Sequence, residues 1–275
     1  MGNTKIHWAE KVWNPVTGCS KVSPGCQNCY AEKMAKRLAG RYGYPADEPF
    51  RVTVHPDRLG EPAGWKKPQR VFVCSMADLF HDDVPGDFIL RVFGRMNAAH
   101  QHTFMLLTKR PENALKFCQE YGLMSSEFGP TPSGEVWPEN VWMGVTAENQ
   151  ETADKRIPIL LQIPAHVHFV SCEPILSKID LTGEYLTGKC GGRYPFPTLQ
   201  TEHRTKWINL LDWVICGGES GQQARPMNQE WAESLYDQCR VAGVPFFMKQ
   251  MSGRTTAERE AIPASIDVQQ FPGKL

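Results

Sequence analysis

Short apolar runs recur along the chain, and stretches with the spacing of amphipathic helices lie between several of them. Arg70–Ser75, Thr103–Thr108, Val141–Thr146, His166–Ser171, Asp212–Cys216 and Val244–Lys249 are short, apolar and rich in β-branched and aromatic residues, which predicts strands. After Cys29, Tyr30, Met34 and Leu38 fall four apart, Glu32 and Lys36 form an i,i+4 pair, and Gly40 supplies a stop. Phe88, Ile89, Val92, Phe93 and Met96 line one face of a second helix. Pro111 suits the first turn of a third, where an amide hydrogen is not needed. A fourth runs from about Thr152 to Leu161, with Pro158 expected to kink or shorten it, and Trp231, Leu235 and Cys239 mark a fifth between Asn228 and Val241. Counting a strand before Cys19, six or seven strand–helix units predict an α/β fold: a partial or full (β/α) barrel of parallel strands, forming one domain over residues 1–275. Two polar, glycine-containing stretches, near 40–68 and 182–206, break the rhythm and read as surface insertions. Residues 263–275 read as an irregular tail.

The strand ends are more telling than the strands. They give Ser75-Met-Ala-Asp78, Thr108-Lys109-Arg110, Thr146-Ala-Glu148-Asn149, Ser171-Cys172-Glu173, Gly217-Gly218-Glu219-Ser220-Gly221 and Lys249-Gln250. In a parallel barrel the carboxyl ends of the strands share one face, so these groups would surround a single pocket. Any one of them also suits a plain capping or loop-solvating role. The Gly217–Gly221 segment fits neither the dinucleotide fingerprint nor a phosphate-binding P-loop, which argues against an ordinary NAD or ATP site.

Charge and cysteine usage narrow the classes. Thirty basic and thirty acidic residues cancel, so a strongly basic nucleic-acid binder is not indicated. The first residues lack the apolar core of a signal peptide and no apolar run is long enough to span a bilayer; the expectation is a cytoplasmic protein with no membrane contact. In a reducing compartment nine cysteines do not suggest a disulfide framework. Three of them, Cys19, Cys26 and Cys29, stand in a C-x6-C-x2-C pattern on a loop punctuated by Gly and Pro, just before a helix. Three thiolates hold a metal but leave one position open, which suits an iron–sulfur cluster with one exchangeable iron. Zinc would call for a fourth Cys or His at short spacing, His55 being the nearest downstream candidate, and three unreacted thiols are the bland alternative.

Longer blocks carry a resemblance. Trp13-Asn-Pro-Val-Thr-Gly-Cys19 through Cys29-Tyr-Ala-Glu32, Ser75-Met-Ala-Asp-Leu-Phe80, Leu107-Thr-Lys-Arg-Pro111, Trp142 to Asn149, Ser171-Cys-Glu-Pro174, Asp212 to Ser220 with Ala224-Arg-Pro-Met227, and Pro245 to Gln250 cover most of the chain. With these blocks the chain resembles the phage Gp37/Gp68 family, a domain family related to radical S-adenosylmethionine proteins. The usual motif of that superfamily is C-x3-C-x2-C, so the first gap here departs from it.

The resemblance implies a radical-SAM-like barrel, a 4Fe-4S cluster on Cys19, Cys26 and Cys29, and S-adenosylmethionine bound at the open iron. It also implies an external electron donor and a deoxyadenosyl radical that abstracts hydrogen from an unidentified substrate, with nucleotides or nucleic acid as candidates. By position in such a barrel, Ser75 and Asp78 would lie near the methionine amino group and Glu148 and Asn149 near the ribose. Gly217, Gly218 and Glu219 would contact cofactor or substrate, and Lys109, Arg110, Glu173 and Lys249 are substrate candidates. Two other classes fit the same residues. One is a non-catalytic cysteine–metal module, zinc or iron–sulfur, that binds nucleic acid or a partner through Trp65-Lys66-Lys67 or the basic loop from Arg193 to Lys206. The other is a metal-dependent hydrolase using Asp78, Glu148, Glu173 and Glu219.

Overall fold

The computed structural model describes residues 4, 6–123, 137–187 and 203–273. The chain divides into two compact units, residues 1–143 and 144–275, with the boundary inside a strand.

Unit 1 contains β1 (Lys11–Trp13), β2 (Val16–Thr17), α1 (Tyr30–Arg37), β3 (Thr53–Val54), β4 (Arg70–Val73), α2 (Gly86–Ala98), β5 (Thr103–Thr108) and α3 (Pro111–Glu120). β4 lies between two parallel neighbours, pairing Val71 with Lys11 of β1 and with Phe104 of β5. All five residues expected on the apolar face of α2 are buried. There Phe93 packs on Phe117 and Trp137 at ring distances of 5.5 and 5.0 Å; each such side chain contributes about 1.5–3 kcal/mol through burial. α3 begins at Pro111, as the sequence predicts. The stretch 40–68 is more than a surface insertion. It supplies β3, antiparallel to β2, and a 3-10 segment, Pro56–Gly64, whose Leu59 and Pro62 are buried. Trp13 Nε1 donates to the Arg58 carbonyl of that segment at 2.9 Å.

β6 (Val141–Thr146) carries the boundary, and unit 2 continues with α4 (Gln150–Leu160), β7 (His168–Cys172), β8 (Glu184–Thr187), β9 (His203–Lys206), β10 (Trp213–Gly217), α5 (Gln229–Ala242), β11 (Phe246–Gln250) and α6 (Thr256–Glu260). β10 pairs in parallel with β7 and β11, and its register with β11 shifts between Cys216 and Gly217. α4 runs through Pro158 and ends two residues later. β8 and β9 form an antiparallel pair at the ends of the stretch 182–206, while Cys190, Arg193 and the rest of 188–202 lie outside the described residues.

The tail is irregular, as expected, and it also covers the edge strand β11. Met248 donates its amide to Val268 O at 2.7 Å, Gln270 to Phe246 O at 2.9 Å, and Trp213 Nε1 to Gln270 O at 2.9 Å, with Ile266 buried beneath. The tail's apolar residues alternate only from Ile266 to Val268 before Gln270 breaks the pattern, so periodicity could not reveal this edge pairing.

The parallel sheet has seven strands in the order β1-β4-β5-β6-β7-β10-β11, and among the described residues α-helices lie in five of the six connections, the β8–β9 pair and a 3-10 turn standing between β7 and β10. This sequential order is that of a partial (β/α) barrel. Among the described residues no helix is long and apolar enough to cross a membrane.

Candidate functional site

The cysteine loop is the connection that leads from β2 into α1, close after the first sheet strand. Gly18, at φ 85, turns the chain into it, donating its amide to Met76 O at 3.0 Å beyond β4. A Cβ at Gly18 would lie 2.2 Å from Arg51 O, so only glycine fits this crossing. Cys19 is then fixed by its amide, which donates to Phe50 O at 3.2 Å. Pro24–Cys26 forms one 3-10 turn, with the Cys26 amide on Ser23 O at 2.9 Å, and Cys29 caps the amino terminus of α1. All three thiols are partly exposed, whereas the other five described cysteines are buried. Burial pushes those five thiols up, Cys118 and Cys239 to about 12, so they stay protonated and inert.

One buried cation organises the loop. Arg110, at the start of α3, keeps its side chain 7% exposed and donates from Nη1 to Cys19 Sγ at 3.5 Å. Its Nη2 donates to Ser20 Oγ at 2.8 Å and Ser20 O at 3.2 Å. Asp78, in the loop that follows β4, faces the same guanidinium at 3.6 Å and Asp82 lies 3.7 Å from Nε. The Asp78 carboxylate also accepts from Thr108 Oγ1 at 2.7 and 2.9 Å, from the Lys109 amide at 3.0 Å and from the Phe80 amide at 3.1 Å. Ser20 Oγ meets His81 Nε2 at 2.7 Å. Ser75 Oγ donates to Asn14 Oδ1 at 3.2 Å.

The electrostatics separate the thiols. Burial, then the Asp78 charge, push Cys19 up, and the Arg110 hydrogen bond and charge partly offset them. For Cys26 burial is again the largest influence, but the Lys109 charge and hydrogen bonds from Val22 and Ser23 outweigh it and hold the thiol below its ordinary value. For Arg110, burial opposes the charge, and Asp78, Cys19 and Asp82 together more than restore it.

Among the described residues no three His, Cys, Asp or Glu side chains are drawn together as a metal-ligand group. The chemistry of the donor set nevertheless suits a thiolate-bound metal or cluster: three accessible sulfurs on one loop, a guanidinium on one, an ammonium charge near another and a helix amino terminus at the third.

The remaining predicted residues belong to unit 2, and each has a partner there. Glu148 is fully buried and bonds Arg156 Nη1 at 2.6 Å, while Asn149 caps α4 in a capping box with Thr152. Glu173 and Lys249 pair at 2.5 Å, at the ends of β7 and β11, and a Cβ on Gly217 would meet Glu173 Cδ at 3.3 Å. Gly218 allows a close approach of the chain to itself, since a Cβ there would sit 2.2 Å from Ser252 N. Glu219 is held by Arg225, whose Nη2 and Nε reach its two oxygens at 2.6 and 3.0 Å. Residue type and spacing alone do not mark Asn14, Ser20, Arg156 and Arg225 as partners of these groups. Asn14, Ser20 and Arg225 lie within the blocks that carry the family resemblance, and Arg156 lies eight residues after Glu148, about two helical turns away.

The fold and the loop define a parallel α/β protein with a cysteine triplet at a strand-to-helix connection. Residues 3–273 match the family described as protein of unknown function (DUF5131), and the chain belongs to that family. No curated protein and no solved structure matches the chain.

Proposed function

We propose that the protein is an iron–sulfur enzyme of the radical S-adenosylmethionine type, with Cys19, Cys26 and Cys29 as cluster ligands and a substrate of unknown identity. The observation that carries this reading is the buried Arg110 guanidinium 3.5 Å from Cys19 Sγ. A thiolate-ligated cluster is anionic, and a cation hydrogen-bonded to a ligand sulfur stabilises it and favours its reduced form. A structural thiol would need no such partner. When bound, the cluster and S-adenosylmethionine would supply one-electron and radical chemistry, fed by an external donor.

The chain's own residues would provide position and charge. Asp78 orients Arg110, Arg110 holds the Cys19–Ser20 corner, the Pro24–Cys26 turn sets the second sulfur and α1 presents the third. Within unit 2, the strand-end residues Glu173, Gly217 and Lys249 form a polar cluster suited to cofactor or substrate. Asp78, Glu148, Glu173 and Glu219 are each paired with a cation, which favours the cysteine-centred reading over a carboxylate-centred hydrolase.

Anaerobic reconstitution with iron and sulfide, followed by electron paramagnetic resonance of the reduced protein with and without S-adenosylmethionine, tests the proposal. A cluster signal that the cofactor perturbs is expected. Zinc without iron, or a Cys26→Ala protein with undiminished cluster content, would overturn it.

A further inference from the structure

Tyr42 stands at φ 53, followed by Gly43 at φ 79, and the Tyr44 amide closes the turn on Arg41 O at 3.0 Å. This is the pattern of a type I′ turn, whose two central positions favour Gly, Asn and Asp. A bulky aromatic in the left-handed region is an outlier. The surrounding chain enforces it. Arg58 Nη2 donates to Tyr42 O at 2.5 Å, Gly40 donates its amide to Tyr44 O at 3.0 Å, and Tyr44 is buried in a cluster with Ala31, Ala35 and Met76 under α1. Tyr42 itself is 76% exposed. An aromatic ring is thus held in water where a small polar residue would be more comfortable.

The neighbouring helix presents matching chemistry. Tyr30, 64% exposed, opens α1, and Lys33 and Arg37 follow on the same face at i+3 and i+7, both exposed. The Arg41 guanidinium donates to Arg37 O, which extends the stripe to the turn. Glu32 is taken by Lys21 and Lys36 at 3.2 and 2.7 Å, whereas among the described residues no carboxylate pairs with Lys33, Arg37 or Arg41. From Lys21 to Arg51 the chain carries six cations against three carboxylates, within a chain of zero net charge.

We propose that Tyr30, Lys33, Arg37, Arg41 and Tyr42 form a binding site for single-stranded nucleic acid. The cations suit phosphate oxygens and the exposed rings suit unpaired bases, which stack on aromatic side chains whatever their sequence. A duplex hides its base faces, so the rings discriminate for a single strand. Because Tyr30 directly follows Cys29, a strand bound here lies beside the cysteine loop. The site requires no metal and stands independently of the cluster reading.

Fluorescence anisotropy of the full chain with labelled oligo(dT), oligo(rU) and a duplex of equal length tests it. One or both single strands bind more tightly than the duplex, and log K falls with log salt at a slope of about −2, roughly 0.7 for each of three phosphate contacts. Arg37→Glu combined with Arg41→Glu weakens binding at least about tenfold and flattens that slope. Arg37→Ala alone gives the same direction should the double variant fold poorly. Tyr42→Asn weakens binding roughly tenfold while the denaturation midpoint stays level or rises, because Asn tolerates the left-handed turn. A duplex bound as tightly as the better-bound single strand overturns the site, as do anionic phospholipid vesicles bound equally well. An unchanged affinity in Tyr42→Asn does the same.

Discussion

Arg110 Nη1 lies 3.5 Å from Cys19 Sγ, across ninety-one residues of sequence, and 3.6 Å from Asp78 Oδ2. One guanidinium therefore joins a strand-end carboxylate to the sulfur of a neighbouring loop. The Arg110 and Asp78 side chains are each 7% exposed, so removing the cation leaves a buried carboxylate uncompensated. Arg110→Met is expected to cost about 3–5 kcal/mol in urea denaturation. Asp78→Asn in the same chain should restore part of that, since the orphaned charge disappears. Arg110→Lys keeps the charge but loses the fork that reaches sulfur, serine and carboxylate together. In iron-loaded protein that variant should keep its cluster and show a lower midpoint potential; an unchanged potential would detach Arg110 from the cluster reading.

Glu148 and Arg156 make the corresponding pair in unit 2. Arg156 Nη1 donates to Glu148 Oε2 at 2.6 Å and to Thr146 O at 2.8 Å, with both side chains buried. Glu148→Gln should destabilise the protein by about 3 kcal/mol because it strands a buried guanidinium. Thermal denaturation reads this directly. A loss of S-adenosylmethionine affinity with full stability would instead place Glu148 at a ligand.

The sheet and most helices were legible because their signals are local. The five-residue apolar face of α2, Pro111 at the head of α3 and the run Val141–Thr146 each follow from periodicity or backbone chemistry within a dozen residues. The cysteine triplet was legible as spacing. What spacing could not show is which partner each strand-end group takes: Asp78 with Arg110 across β4 and β5, or Glu219 with Arg225 within one loop. Such pairs are set by the register of neighbouring strands and by loop geometry, and one sequence encodes neither as a repeating pattern. The cover over β11 escaped for the same reason, since Gln270 contributes through its backbone and amide rather than through an apolar face.

Gly18 controls the entry to the cysteine loop. Its φ of 85 is strained for any other residue, and a methyl group there would sit 2.2 Å from Arg51 O and 2.7 Å from Phe50 O, the carbonyl that receives the Cys19 amide. Gly18→Ala should therefore cost about 2–5 kcal/mol, combining left-handed strain with overpacking. Because the clash falls on the backbone that fixes Cys19, iron uptake on reconstitution should fall more steeply than the unfolding midpoint. Equal losses in both would mean that the glycine serves the fold alone.

His55 gives unit 1 a pH dependence of known sign. Its Nε2 lies 2.8 Å from Thr17 Oγ1, and burial, reinforced by the Arg58 charge, lowers its pKa from 6.5 to about 4. The folded state thus keeps the imidazole neutral while the unfolded chain takes up a proton below about pH 6.5. With more protons bound in the unfolded state, the stability present above that pH is lost as the pH falls towards 4. His55→Gln removes this linkage at the cost of buried packing. It should be less stable than the parent near pH 7.5, and the gap in urea midpoints should narrow between about pH 6.5 and 4, since the carboxylates titrate alike in both proteins. A gap that stays constant across that window would show that His55 binds its proton equally well in both states.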